Sequence, residues 1–134
     1  VMPYVKAPTA RGALGNGAWE GGLIVPVNFK LSSTLNLAIQ PEFDDLADAA
    51  GEGHHLAFSQ DFNLALSLPR NVTVFAEAWA QWSFDPAGEQ TQYSLDIAAA
   101  LGLGRDSQLD AGVNFGLNKQ TPGVAPYVGI SHRF

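Results

Sequence analysis

The chain has 134 residues, 46% hydrophobic and only 15% charged, which is the composition of one ordered domain and not of a disordered tail. Seven basic against 13 acidic side chains leave a formal charge of −6, so a nucleic-acid or phosphate-binding surface has no electrostatic support. Cysteine is absent, which excludes a disulfide framework, zinc–thiolate sites and thiol chemistry, and no uncharged apolar run reaches the roughly 18 residues of a spanning helix.

The apolar residues are instead dispersed by alternation, the period of a strand whose two faces differ. In chain order, Pro3, Val5 and Ala7 oppose Tyr4 and Lys6. Leu23, Val25, Val27, Phe29 and Leu31 then oppose Gly22, Ile24, Pro26, Asn28 and Lys30. Leu35, Leu37, Ile39, Pro41 and Phe43 face away from Asn36, Ala38, Gln40 and Glu42. Leu56, Phe58, Phe62, Leu64, Leu66 and Leu68 oppose Ala57, Ser59, Asp61, Asn63, Ala65 and Ser67. The fifth segment sets Val72, Val74, Ala76, Ala78, Ala80, Trp82 and Phe84 against Thr73, Phe75, Glu77, Trp79, Gln81 and Ser83. The sixth sets Tyr93, Leu95, Ile97, Ala99, Leu101 and Leu103 against Gln92, Ser94, Asp96, Ala98, Ala100 and Gly102. Leu109 to Leu117 and Val128 to Phe134 complete eight strands in the same manner.

Three short links, Ser32–Thr34, Pro69–Asn71 and Gly104–Asp106, have tight-turn chemistry. They alternate with longer links at Ala10–Ala18, Asp45–His54, Asp85–Gln90 and Lys119–Ala125, the second of which overlaps a stretch, Asp44–Ala50, able to form one helical turn. This alternation predicts an up-and-down antiparallel meander with two unlike ends. The parity opposite the Leu, Val, Ile and Phe residues is rich in Gly, Ala and Ser and poor in long charged side chains, which suits a confined lumen better than a solvated convex surface. The expectation is therefore an all-β, up-and-down transmembrane β-barrel, a single domain over 1–134, with apolar residues toward lipid. A soluble ligand-binding barrel, with the large apolar residues inside, is the alternative at the level of the fold.

Trp19, Phe43, Trp82, Phe84 and Tyr93 all fall at the long-loop ends on the apolar parity, as an interfacial girdle requires. On the inward parity, Asp61, Glu77 and Asp96 sit near mid-strand on three consecutive strands; with neighbouring strands about 4.8 Å apart they form a predicted carboxylate cluster. One reading is a cation-favouring constriction or proton-sensitive gate. The other, favoured for a narrow barrel, is a structural network in which Lys6 with Asn63, Gln81 and Ser94 satisfies the charges. Lys30, Asp110 and Arg133 are expected to pair across a floor near the short turns. His54 and His55, near Asp44 and Asp45, read as solvated loop residues pointing opposite ways and not as a metal site. His132 has no acidic orienter for a nucleophilic triad, and no helix follows Gly12, Gly15 and Gly17 to bind phosphate. No catalytic residue, cofactor or metal is predicted.

The final run Tyr127-Val128-Gly129-Ile130-Ser131-His132-Arg133-Phe134 resembles the carboxy-terminal strand signature of Gram-negative outer-membrane proteins, departing from it at His132. That resemblance implies recognition of Phe134 and its strand by the barrel-assembly machinery. Segments Pro3–Thr9, Glu20–Val27 and Asp110–Asn118 resemble a family of outer-membrane transporters labelled as the phenol-degradation meta-pathway type. The resemblance implies residence in the outer membrane, passive transport of small apolar or aromatic solutes, and longer relatives with strands ahead of the segment matching Val1. Eight strands could also close alone, leaving a narrow barrel that serves as an anchor, scaffold or partner-binding protein. Pairing of the Tyr4–Thr9 segment with Tyr127–Phe134 is the feature that separates closure from an open wall.

Overall fold

The computed structural model describes residues 1–9, 15–51 and 53–134. Positions 10–14, which hold Gly12 and part of the first long link, lie outside the described residues. Among the described residues there are nine strands and no helix: β1 (Met2–Lys6), β2 (Glu20–Ile24), β3 (Val27–Lys30), β4 (Leu35–Ala47), β5 (His54–Leu68), β6 (Val72–Ser83), β7 (Gln90–Leu103), β8 (Ser107–Gly116) and β9 (Val124–His132). They form one antiparallel sheet in the order β1-β2-β4-β5-β6-β7-β8-β9, with β3 also on β4.

Nine strands arise from eight predicted segments because the second is interrupted at Val25 and Pro26. The register does not slip across the break: Ile24 stands opposite Glu42 on one side of it and Val27 opposite Ile39 on the other. Pro26 has no N–H to donate. The Pro41 carbonyl accepts from Val25 N at 3.0 Å, so in an antiparallel ladder the missing N–H of Pro41 falls on the same side. Pro26, the next residue, faces away from β4, so this ladder lacks one donor, that of Pro41, and opens without slipping.

The expected helical turn over Asp44–Ala50 does not form. Asp44–Ala47 continue β4 and pair with His54–Ala57, because tertiary pairing outweighs a weak local preference. At the other end of β5, the Pro69–Asn71 link is the expected tight turn, with Arg70 and Asn71 both at positive φ (65° and 60°).

A flat single-layer sheet would expose its two faces equally. Here every buried strand residue (Asp44, Ala57, Ser59, Ser94, Asp96 and Ala100) lies on the inward parity. Leu56, Ile97, Val128 and Ile130, on the other parity, are 55%, 60%, 76% and 76% exposed. The sheet is therefore curled like the wall of a barrel, polar face concave and apolar face convex. Leu23, Leu64 and Ile97 form no central dry core; all three are exposed.

β1 and β9 are both sheet edges and do not pair with each other. The eight-strand self-closure weighed above is not seen; the wall is open. Its edges are finished alike. Tyr4 of β1 crosses Gly22 of β2 to donate to Asp44 Oδ1 of β4 at 2.7 Å. Tyr127 of β9 crosses Gly112 of β8 to donate to Asp96 Oδ1 of β7 at 2.9 Å. Gly112 has to be glycine: a Cβ there would sit 2.5 Å from the Tyr127 hydroxyl and 2.8 Å from Ala98 Cβ.

Candidate functional site

The pleat sends Asp61, Glu77 and Asp96 to the concave face, and the register brings them into one row. Glu77 stands directly opposite Asp96, and Asn63, two residues beyond Asp61, stands opposite Glu77. Asn63 Nδ2 donates to Glu77 Oε2 at 2.9 Å, and the Tyr127 hydroxyl serves Asp96. Asp61 Oδ1 is buried with no hydrogen-bond partner, while its backbone carbonyl accepts from Gln60 Nε2 at 2.7 Å.

Lys6 lies elsewhere. Its ammonium is engaged by Glu20 on the adjacent strand and by Asn16 Oδ1 at 3.3 Å, so it does not neutralise the mid-wall carboxylates. The reason is register: Lys6 pairs with Glu20 at the long-loop end of the wall. The inner acidic row is also longer than the predicted trio. Asp44 and Glu42 on β4 continue it toward the long-loop end, Glu42 facing Ser59 across β5. The inward parity of Glu42 was already visible in the alternation of β4; what hid Asp44 was its assignment to the possible helical turn over Asp44–Ala50. Two aromatic side chains, Phe75 and Trp79, share this face, Trp79 directly opposite Asp61.

At the short-turn end the expected floor does not assemble. Arg133 pairs with Asp106 at 3.3 Å on an exposed turn. No ion pair joins Lys30, Asp110 and Arg133 among the described residues. Lys30 sits on β3 and Asp110 on β8, far apart in strand order, and an open sheet gives them no common floor. Phe134 is fully exposed and packs edge-on against His132 (4.8 Å between centroids). His132 finds Ser107, its register partner on the convex face, at 2.9 Å.

On the convex face four aromatic rings form an unbroken row. Phe43 meets Phe58 at 5.1 Å, Phe58 stacks on Trp82 at 5.8 Å, and Trp82 meets Tyr93 edge-on at 6.1 Å. Phe58, unlisted among the girdle residues predicted above, is its central link, brought in because the register sets it between Phe43 and Trp82. Trp19 and Phe84 are exposed at the same end (61% and 48%).

The long-loop end of the concave face carries a second polar cluster. His54 points outward to Asp45 (3.1 Å), both exposed. His55 points inward and is nearly buried: its Nδ1 lies 2.9 Å from Asp48 Oδ1 and its Nε2 2.9 Å from Ser83 Oγ. The expectation that both histidines are solvated holds only for His54. Asp85 Oδ1 accepts the N–H of Ala87 at 2.7 Å and Oδ2 that of Ala49 at 2.8 Å. These backbone donors, Ala87 first, hold the Asp85 carboxyl below the ordinary carboxylate range, against the opposing effect of burial. A polar cavity of about 250 Å³ opens beside them, lined among others by His55, Ser83, Asp85 and Gln81.

The concave face can thus attract cations, repel anions and offer π-faces to planar solutes. A family model described as "Putative MetA-pathway of phenol degradation" matches residues 1–134. No curated protein and no solved structure is matched.

Proposed function

The chain belongs to that family, and from this premise we propose that it forms part of the wall of an outer-membrane barrel through which small neutral solutes, aromatic ones among them, pass passively. The observation that carries the reading is the inverted distribution of polarity. Asp44, Ser59 and Asp96 are buried on the concave side, while Leu, Ile, Val and Phe residues stand exposed on the convex side. Water does not favour such an exterior; lipid does. Strands β4 to β9 have 9 to 15 residues each, at or above the roughly 9–11 needed to span at the usual tilt. The aromatic ribbon sits at one level, where a headgroup boundary favours it.

An acidic lumen raises the local concentration of cations and lowers that of anions, so neutral phenols would pass more readily than their anions. Unpaired edges at β1 and β9 cannot face lipid, since each unsatisfied backbone group there costs several kcal/mol. Strands from outside the described sheet complete the barrel.

The test is reconstitution of the complete barrel that contains this chain into planar bilayers and liposomes. Stepwise conductance with cation selectivity, and swelling in phenol that exceeds swelling in benzoate, are expected. Glu77→Gln, which keeps the Asn63 contact while removing the charge, lowers cation selectivity. Membrane insertion with no conductance would leave the narrow, non-conducting scaffold; a chain that stays soluble and monomeric without detergent would remove both.

A further inference from the structure

The cluster at the long-loop end brings two carboxylates to one imidazole. Asp48 follows β4, His55 is the second residue of β5, and Asp85 follows β6, so three successive segments deliver one side chain each to one place. The three side chains are 16%, 7% and 9% exposed. Both carboxylates address the same imidazole nitrogen: Asp48 Oδ1 is 2.9 Å and Asp85 Oδ2 3.9 Å from His55 Nδ1. All three candidate donor atoms lie within 4.8 Å of one another.

A neutral imidazole has one proton, and on Nδ1 it serves one carboxylate at hydrogen-bond distance. The second carboxylate, served by the Ala87 and Ala49 N–H groups, is then held close to the first with no positive charge between them. A divalent cation on Nδ1 resolves this, bringing the two negative charges to neutrality. Ligands about 2.0–2.2 Å from an ion stand roughly 3–3.5 Å from each other, and the two observed separations bracket that value. The other ring nitrogen is already oriented as a metal-bound histidine needs: with Nδ1 on the ion, Nε2–H donates to Ser83 Oγ.

From this geometry we propose that Asp48, His55 and Asp85 bind one divalent transition-metal ion of the zinc class at the long-loop end of the wall. One imidazole with two carboxylates suits zinc and its neighbours, whereas calcium and magnesium take oxygen ligands alone. The remaining coordination positions are left to solvent from the adjoining cavity, which His55 and Asp85 line. Because the ligands come from the β4–β5 loop, from β5 and from the β6–β7 loop, the ion ties two loops to the wall. The order Asp48–His55–Ser83 is also that of a nucleophilic triad. The second carboxylate on Nδ1, which a triad does not use, favours the metal.

The experiment takes the full chain in detergent micelles, stripped with EDTA and titrated with Co²⁺ followed by visible absorption, then with Zn²⁺ by calorimetry. Saturable uptake of one ion per chain, with Zn²⁺ displacing Co²⁺ and Ca²⁺ failing to do so, is expected. His55→Ala lowers affinity at least about 100-fold, and the near-isosteric Asp48→Asn about 10- to 100-fold. His54→Ala, whose imidazole faces Asp45, binds as the parent does. An unchanged β-sheet circular dichroism spectrum shows that each variant is folded. No saturable Zn²⁺ uptake by the parent, or uptake unchanged in folded His55→Ala and Asp48→Asn, overturns the proposal. So does labelling of Ser83 by a fluorophosphonate in a parent chain that takes up no Zn²⁺, which assigns the cluster to acyl transfer.

Discussion

The concave face solves the same problem in two ways, one at mid-wall and one at the long-loop end. Both regions bury carboxylates. At the loop end, Asp85 accepts two backbone N–H groups and Glu20 accepts one, from Ala47 at 3.1 Å, besides the Lys6 and Asn16 side chains. At mid-wall, Glu77 and Asp96 depend on single side-chain donors and Asp61 Oδ1 has none. The difference follows from the ladder. In a sheet interior every backbone N–H is committed to the neighbouring strand, whereas loop backbone still has donors to give. A charge in the wall can be satisfied only by a side chain or by water. A charge at the loop end can be locked by the backbone, which suits a rim that must hold its shape.

Five substitutions and a pH titration sharpen or break this contrast. The largest effect is expected from Gly112→Ala, because the new Cβ displaces the Tyr127 ring and strips Asp96 of its donor. A buried carboxylate left without its partner costs roughly 1–3 kcal/mol or more. Tyr127→Phe costs a similar amount, read as a shift of the urea midpoint in vesicles; equal midpoints for Gly112→Ala and the parent would show that Asp96 is served by water. Phe58→Ala removes two aromatic contacts from the girdle, each worth about 0.5–1.5 kcal/mol, and lowers stability in vesicles by about 1–3 kcal/mol.

At the loop end the expected effect is one of pH. The Asp85 carboxyl is held below its ordinary range, so its contribution is fully present above the unfolded carboxylate value near ~3.9 and is lost as pH falls through the folded one. In EDTA, pepsin cleavage within residues 48–53 or 84–89 should rise as the pH is lowered through that window. Asp85→Asn should be cleaved readily at every pH; an identical acid profile for both chains would assign the step to another carboxylate. The smallest effect is expected from Asp61→Asn, which removes a charge that has no partner at Oδ1. Stability should change by less than about 1 kcal/mol or rise slightly, while cation selectivity falls. A large loss would mean that Asp61 is bound by something in the lumen.

How much of this could be read along the chain differs from residue to residue. The facing of Leu23, Leu64 and Ile97, of Asp61, Glu77 and Asp96, and of the girdle residues follows from counting by twos, because a pleat allows no other arrangement. The two long hairpins with tight turns at Ser32–Thr34 and Pro69–Asn71 follow from turn chemistry. Lys6 defeated the same reasoning: parity placed it on the right face, but only its pairing with Glu20 places it at the loop end. His55 was hidden for a further reason, since Asp48 and Asp85 sit in two different links whose approach no local pattern encodes.

By itself, then, the order of residues determined the strand class, the two unlike faces and the up-and-down path, all of which depend on period 2 and on short-range turn geometry. Tertiary structure alone decided the register-dependent features. These are the Tyr–Gly–Asp crossings at both edges, the aromatic ribbon through Phe58, the open edges at β1 and β9, and the meeting of Asp48, His55 and Asp85. Register and curl are collective properties of the whole hydrogen-bonded sheet, so they bring together residues from separate strands and loops that no stretch of sequence places side by side.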